Sequence, residues 1–350
     1  MSSTSTPTDR VLAGHPREHL PTASPVGPVM DLPSWRAAGL RYFSYGRSLR
    51  DRFGVRVQKV SIDAGFTCPN VDGTVAIGGC SFCDNRSFSP SRRLPRQSIS
   101  DQIAEGIRRL KRRYKCDAFL AYFQPATNTY APVERLRAIY EEALSHPKVI
   151  GLVIGTRPDC VGDEVLDLLQ EFAVRAPLSV EYGMQTIHNR SLDWMNRGHH
   201  HEAMVDAVGR SRGRGFEFGA HVILGLPGET HTEMLQTGTE IGRLAVNSVK
   251  IHNLYVVRNT RLAEEYARGE VRMMSRDDYV RTLVDFIEIL PPSVVVERIT
   301  GEAPPDFFVG PTWALDKPAV RKAVNEEFES RDSWQGKRYW GAMENASSVH

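Results

Sequence analysis

Lys59–Pro90 reads KVSIDAGFTCPNVDGTVAIGGCSFCDNRSFSP, and it gathers three of the chain's five cysteines into one glycine-rich loop behind a predicted strand. Cys80 and Cys83 form a C-x-x-C pair whose thiolates can reach one metal centre. Cys68 joins them across an excursion rich in turn signals, Pro69-Asn70, Asp72-Gly73 and Gly78-Gly79. Structural zinc sites close with four ligands. A cubane 4Fe-4S cluster held by only three protein thiolates instead leaves one iron open to a ligand from outside the chain. A zinc knuckle or ribbon, with Cys116 or a histidine as fourth ligand, is the alternative reading of the same loop.

Working outward, 350 residues suit one large α/β domain or two smaller ones, and one domain with terminal additions is expected. A formal charge of +2 with both signs well mixed directs the chain to neither nucleic acid nor membrane. No apolar run is long enough to cross a bilayer, and MSSTSTPTDR at the N-terminus lacks the apolar core of a signal peptide. A cytoplasmic protein is expected. An odd number of mostly clustered cysteines fits a reducing compartment and metal ligation better than a disulfide framework. Residues 1–34, rich in Ser, Thr and Pro without hydrophobic period, are expected to be a disordered tail, with a core over 35–290 and an extension over 291–350.

The core reads as strand, loop and helix, repeated. Strands are expected at Val57–Ile62, Ala118–Phe123, Val149–Ile154, Leu178–Gly183, Glu217–Leu224 and Val249–Val256, with helices between them. The aromatic group Tyr42, Phe43 and Tyr45 reads as a lid or packing segment ahead of the first strand. Ser98 and Asp101 mark an S-x-x-D helix start, and this helix carries Arg108, Arg109, Lys111, Arg112, Arg113 and Lys115, with Arg92, Arg93 and Arg96 just upstream. Such a run either contacts phosphates or is a solvated helix face. Alternating strands and helices imply right-handed crossovers and a parallel sheet, so the fold class is α/β, a partial (β/α)6 TIM-type barrel. Barrel sites lie at the C-terminal strand ends, where the cysteine loop falls.

CPN-x-DGT-x(3)-GGCSFC followed by NRSFSPS resembles a bacterial group within the radical S-adenosylmethionine (radical SAM) superfamily. The usual signature there is C-x(3)-C-x-Φ-C, with Φ aromatic. Cys80-Ser81-Phe82-Cys83 keeps its second half, while eleven residues separate Cys68 from Cys80. The resemblance implies a 4Fe-4S cluster on Cys68, Cys80 and Cys83, S-adenosylmethionine (SAM) on the open iron, Phe82 near the adenine, reductive cleavage to a 5'-deoxyadenosyl radical, and an external electron donor of flavodoxin or ferredoxin type.

Further along, Arg157-Pro158-Asp159, Val180-Glu181-Tyr182-Gly183-Met184-Gln185-Thr186, Asn196-Arg197-Gly198-His199 and Ala220-His221 through Gly228-Glu229 are similar in order and spacing to the radical core of the Elongator catalytic subunit, a tRNA-modifying enzyme. That similarity implies SAM contacts at Gln185 and Arg197, the latter near the methionyl carboxylate, and a position near the adenosine for His221, whose other reading is an inward structural histidine. It makes tRNA a candidate substrate. Two departures stand out: QPATNTYA replaces the glycine-rich loop after the second strand, and Gly155 stands where Elongator-like chains have Glu. A small metabolite or a peptide is the competing substrate class, and a non-catalytic iron-sulfur or zinc protein binding RNA or another partner is the competing function.

Cys160, at a strand end, reads as a substrate thiol, a redox partner or an inert thiol, and Cys116 as structural. His199, His200 and His201 are expected in solvent at a helix start. In the extension, Val294–Ile299 reads as an added strand and GEAPPDFFVGPTW as a loop able to close the barrel mouth. Arg331 through Lys337, RDSWQGK, matches the same bacterial group and carries no evident mechanism.

Overall fold

The computed structural model describes residues 33–89, 92, 97–301 and 303–339. Residues 1–32 of the expected tail over 1–34, the basic residues Arg93 and Arg96, and residues 340–350 lie outside the described residues, while Ser34 already belongs to a short helix, Ser34–Ala37.

Strands β1 (Val57–Ile62), β2 (Ala118–Phe123), β3 (Val149–Thr156), β4 (Leu178–Gln185), β5 (Glu217–Leu224) and β6 (Ser248–Asn253) follow one another in space, and β8 (Val295–Arg298) adds to β6. All six pairings are parallel. The reason is legible in the residues: β2, Ala-Phe-Leu-Ala-Tyr-Phe, is buried at five successive positions, as a strand covered on both faces must be. A short antiparallel pair, β7 (Val256–Val257) with β9 (Phe308–Gly310), lies apart from the main sheet. The expected strand Val249–Val256 therefore splits. It ends at Asn253, whose side-chain carbonyl accepts from the Gly301 N–H at 2.9 Å, and Val256 leaves to pair with the extension.

Helices cover the outer face. Ile99–Tyr114 starts where Ser98 accepts from the Asp101 N–H, and it turns Ile99, Ile103 and Ile107 inward. Burying each such side chain contributes about 1.5–3 kcal/mol relative to exposure. Gly106 sits so close to β1 that a Cβ there would lie 2.4 Å from Val60. The basic residues Arg108, Arg109, Lys111, Arg112, Arg113 and Lys115 all point to solvent, the solvated-face reading of that run.

β1 and β8 remain unpaired with each other, so the barrel is open along one side. Helix Tyr45–Phe53 packs there: Leu49 meets Val57, Leu120 and Val153, and the Val296 N–H donates to the Phe43 carbonyl at 2.8 Å. The Tyr42–Tyr45 group is thus a packing segment rather than a lid. RDSWQGK closes the same side, because Gln335 donates to the Pro291 and Val294 carbonyls and accepts from the Phe43 N–H at 2.8 Å. The strip without a sequence mechanism is a clasp that ties Phe43 to the segment leading into β8.

Candidate functional site

The strand tips surround a cavity of about 760 Å³. Cys68, Cys80, Phe82, Cys83, Gln185, Arg197 and His221, distant in sequence, all line it.

The cysteine loop is held from across the barrel. Asn70, fully buried, donates through Nδ2 to the carbonyls of Asn196 at 2.6 Å and Arg197 at 2.9 Å, with Cys80 Sγ at 3.5 Å. In return Asn196 donates to the Ile77 and Gly79 carbonyls at 3.0 and 2.9 Å, and the Ser81 N–H donates to the Met195 carbonyl at 2.9 Å. Gly198 lies in the left-handed region at φ +70°, where a Cβ would also lie 2.7 Å from Asn70 Oδ1. The Asn-Arg-Gly triplet is therefore the loop's docking seat.

Two guanidiniums face the sulfurs. Arg197 Nη1 is 3.5 Å from Cys80 Sγ, and its Nη2 donates to the Gly183 carbonyl at 2.8 Å. Arg157, only 2 % exposed, is locked by Asp159 at 2.7 and 2.9 Å and reaches to 4.0 Å from Cys68 Sγ. Burial, with the thiols of Cys80 and Cys68 alongside, pushes the Cys83 thiol up, while Arg197 opposes the shift. All three cysteines are unpaired, and ionising them together in so small a space calls for a bound cation. Among the described residues no three His, Cys, Asp or Glu side chains converge on one ion-sized point. Thiolates that each hold a separate corner of a polynuclear cluster need not do so. Buried polar atoms left without partners in this region, Arg197 Nε and Thr127 Oγ1, mark where a further polar group fits, and Thr127 comes from the QPATNTYA loop. The donor set and these free atoms suit an iron-sulfur cluster with a polar co-ligand.

Gln185 ends β4 at φ +70°, a left-handed conformation unusual for a residue with a side chain. Gly183 makes room for it: a Cβ there would lie 2.6 Å from Arg197 Nη2 and 2.9 Å from Gln185 Nε2.

Deeper in the barrel lies a charged network absent from the sequence reading. Glu181, 1 % exposed, accepts from Lys59 at 2.6 Å, from Lys250, and from His221 Nε2 at 2.8 Å. Lys59 also donates to Glu297 at 2.6 Å, and Lys250 to the Tyr122 hydroxyl at 3.1 Å. The lysines hold the Glu181 carboxyl well below the usual range. Burial and the adjacent Lys59 lower Lys250 to about 8. Burial and Lys250 lower His221, which both faces the cavity and bonds the network. Lone charged residues within apolar strands were the signal available in the sequence.

Other expectations divide. His200 is exposed and bonds Asp193 at 2.8 Å, as expected of the histidine tract. Its neighbours are a correction. His201 is held by Glu240 at 2.8 Å, and His199 turns inward, where burial and Arg197 lower it to about 3. The helix begins only at His201, so the preceding turn directs His199 toward the strand tips. Cys160 falls outside the cavity lining, its thiol pushed up to about 12 by burial and Asp159, in keeping with an inert thiol. Cys116 is buried, as expected.

Likeness to known proteins bears on the fold and the family. The sequence model of the Radical SAM superfamily matches residues 77–241, and that of the Radical_SAM C-terminal domain matches residues 246–330. YtqA of Bacillus subtilis (strain 168) is 39 % identical over 309 residues, which cover 88 % of this chain and 96 % of YtqA. A tRNA uridine(34) acetyltransferase of Methanocaldococcus jannaschii is 30 % identical over 166 residues, 46 % of this chain and 30 % of that protein. Among solved structures, the archaeal Methanocaldococcus infernus Elp3 with an N-terminal deletion superposes with a TM-score of 0.61 at 20 % identity, over 81 % of this chain and 67 % of that one, a likeness of fold. A half-barrel carrying a three-cysteine loop at its strand tips defines a class of enzyme that binds a 4Fe-4S cluster and SAM. The chain belongs to the radical SAM superfamily.

Proposed function

We propose that Cys68, Cys80 and Cys83 ligate the 4Fe-4S cluster, that Gln185, Arg197 and Phe82 hold SAM beside it, and that the substrate is a nucleotide of tRNA. The observation that carries the reading is the seating of the cysteine loop on Asn196-Arg197, which sets three thiols and two guanidiniums at the mouth of one cavity. When bound and reduced, the cluster supplies the electron that cleaves the sulfonium of SAM to methionine and a 5'-deoxyadenosyl radical. The chain's own part is to bind, orient and exclude water. Arg197 keeps Nε free for a carboxylate while its other nitrogens anchor it to Gly183 and Cys80. Gln185 offers an amide with donor and acceptor from a strained strand end. Phe82, packed beside the Leu192, Met195, Ile223 and Leu254 cluster, gives an aromatic face for a base.

Read as a core over 35–290 and an extension over 291–350, the chain uses the extension as the far wall, since Ala303, Pro304, Ala314 and Lys317 line the cavity. A flavodoxin- or ferredoxin-type donor supplies the electron, and unpaired thiols suit the reducing cytoplasm. Among the described residues no helix is long and apolar enough to cross a membrane. The tRNA assignment is supported by likeness to the tRNA uridine(34) acetyltransferase over the matched stretch.

Anaerobic reconstitution with iron, sulfide, SAM and dithionite should yield 5'-deoxyadenosine, and tetrahedral zinc in the purified protein would remove the proposal. Comparison of tRNA nucleosides between a deletion strain and its parent should show one modified nucleoside lost. An unchanged set would leave a metabolite or peptide substrate.

A further inference from the structure

The cavity has further polar lining residues, to which the proposed cluster and SAM contacts assign no role. They form a wall built by β6, β8 and the extension. Lys250 and His252 occupy alternate positions of β6 and so share one face, and Arg298 of β8 pairs in register with Lys250. All three line the cavity, as does Lys317 from the helix that follows β9.

The pairing of charge on this wall is incomplete. Lys59 and Lys250 are matched by Glu181 and Glu297. Elsewhere in the lining Arg86 is matched by Asp84, and Arg157 by Asp159. The Arg298 guanidinium makes no ion pair or side-chain hydrogen bond to any other described residue, although it is only partly exposed and faces the cavity. Beside it, the buried Nε2 of His252 has no partner either, its ring 5.5 Å from that of His221. Arg298 also acts on its neighbours: its charge helps to lower Lys250 and His252. An unmatched guanidinium next to an unmatched imidazole nitrogen, with two lysines lining the same cavity, has the composition of an oxyanion receptor rather than of a structural cluster.

We infer that Arg298 and His252, with Lys250 and Lys317 lining the same cavity, form a substrate-phosphate subsite on the wall built by β6, β8 and the extension. The ligand class is a nucleotide phosphate, an assignment that rests on the RNA reading above. An enzyme that does chemistry on a base draws the nucleotide out of its stack into a pocket, and the phosphate attached to that nucleotide must come with it. A fork-shaped cation in the cavity wall meets that phosphate while the base lies toward the cysteines. The exposed basic helix Ile99–Tyr114 plays no part in this arrangement, for Arg108 and Arg109 are absent from the cavity lining.

The test is equilibrium dialysis of the anaerobically purified full chain with uridine 5'-monophosphate, uridine and N-acetylglycine as probes, repeated for Arg298→Gln, Arg298→Lys and the surface control Arg109→Gln. Wild type should bind the monophosphate more tightly than uridine. Arg298→Gln should lose about tenfold in affinity for the monophosphate and nothing for uridine, with Arg298→Lys in between. Circular dichroism establishes that each variant is folded, and His252→Gln, expected to lose several-fold, is an independent second probe should Arg298→Gln be misfolded. Equal affinity for monophosphate and uridine, or an Arg298→Gln variant indistinguishable from Arg109→Gln, overturns the subsite. Arg298-dependent binding of N-acetylglycine without binding of the monophosphate overturns the phosphate assignment. Arg298-dependent binding of the monophosphate together with an unaltered set of tRNA nucleosides in the deletion strain would keep the subsite and remove the RNA reading.

Discussion

Arg197 Nη1 lies 3.5 Å from Cys80 Sγ across 117 positions of chain. A guanidinium this close sets a fixed positive charge beside the sulfur, and Arg157 repeats the arrangement at Cys68 at 4.0 Å. The two arginines therefore sit beside two of the three proposed ligand thiols.

The first prediction separates the loop cysteines from the others. Replacing Cys68, Cys80 or Cys83 by Ala should abolish iron and sulfide incorporation and the visible absorbance of the reconstituted protein. Cys116→Ala and Cys160→Ala should retain both, because Cys116 is buried away from the cavity and Cys160 lies outside its lining.

Gly183→Ala should damage activity more than folding. The added Cβ would press on the flexible ends of Arg197 and Gln185, at 2.6 and 2.9 Å, which can move aside at the expense of their geometry. A misplacement on the order of 1 Å in positioning groups lowers rate by roughly 100-fold. Release of 5'-deoxyadenosine should fall by about that factor, with a melting temperature close to that of wild type. A parallel loss of both would point to a structural role for Gly183.

Glu181→Ala should be strongly destabilising. It leaves Lys59, Lys250 and His221 without the carboxylate they share in the barrel interior. Breaking a buried pair by removing one partner costs about 3–5 kcal/mol. Adding Lys250→Met to Glu181→Ala should restore part of it, since the stranded charge is then gone. Urea denaturation of the four members of that cycle measures both effects.

His199 gives the protein an acid sensitivity with a defined window. Its folded value, lowered to about 3, stands below the ordinary 6.5 of an unfolded histidine. Between these the unfolded chain binds a proton that the folded chain refuses, so stability rises with pH and is lost as pH falls below about 6.5. The slope is at most about 1.4 kcal/mol per pH unit for one group. His199→Gln should flatten the profile from about pH 6.5 down to about 4.5, read by urea midpoints at each pH.

Much of the fold was legible locally. Ala118–Phe123 and Glu217–Leu224 have the strand bounds that their apolar runs suggest, because a parallel strand buried on both faces announces itself within six to eight residues. Helix Ile99–Tyr114 starts where its cap does for the same reason. The strand Val249–Val256 misled because an apolar run carries no mark of where its partner stops.

What the residues determined alone was chemical identity: three thiols closely spaced in one loop, an aromatic between the last two, and the repeated strand and helix units that put this loop at a strand end. Short-range spacing and periodicity suffice for that, since neighbouring residues meet wherever the rest of the chain goes. Only the tertiary structure decided which groups serve the thiols and what faces them. Asn70 docks on Asn196 and Arg197, Lys59 reaches Glu297 across 238 positions, and Arg298 has no ion pair among the described residues while Lys250 beside it is paired. Those outcomes depend on which strands become neighbours and on how buried charges find partners when water is excluded.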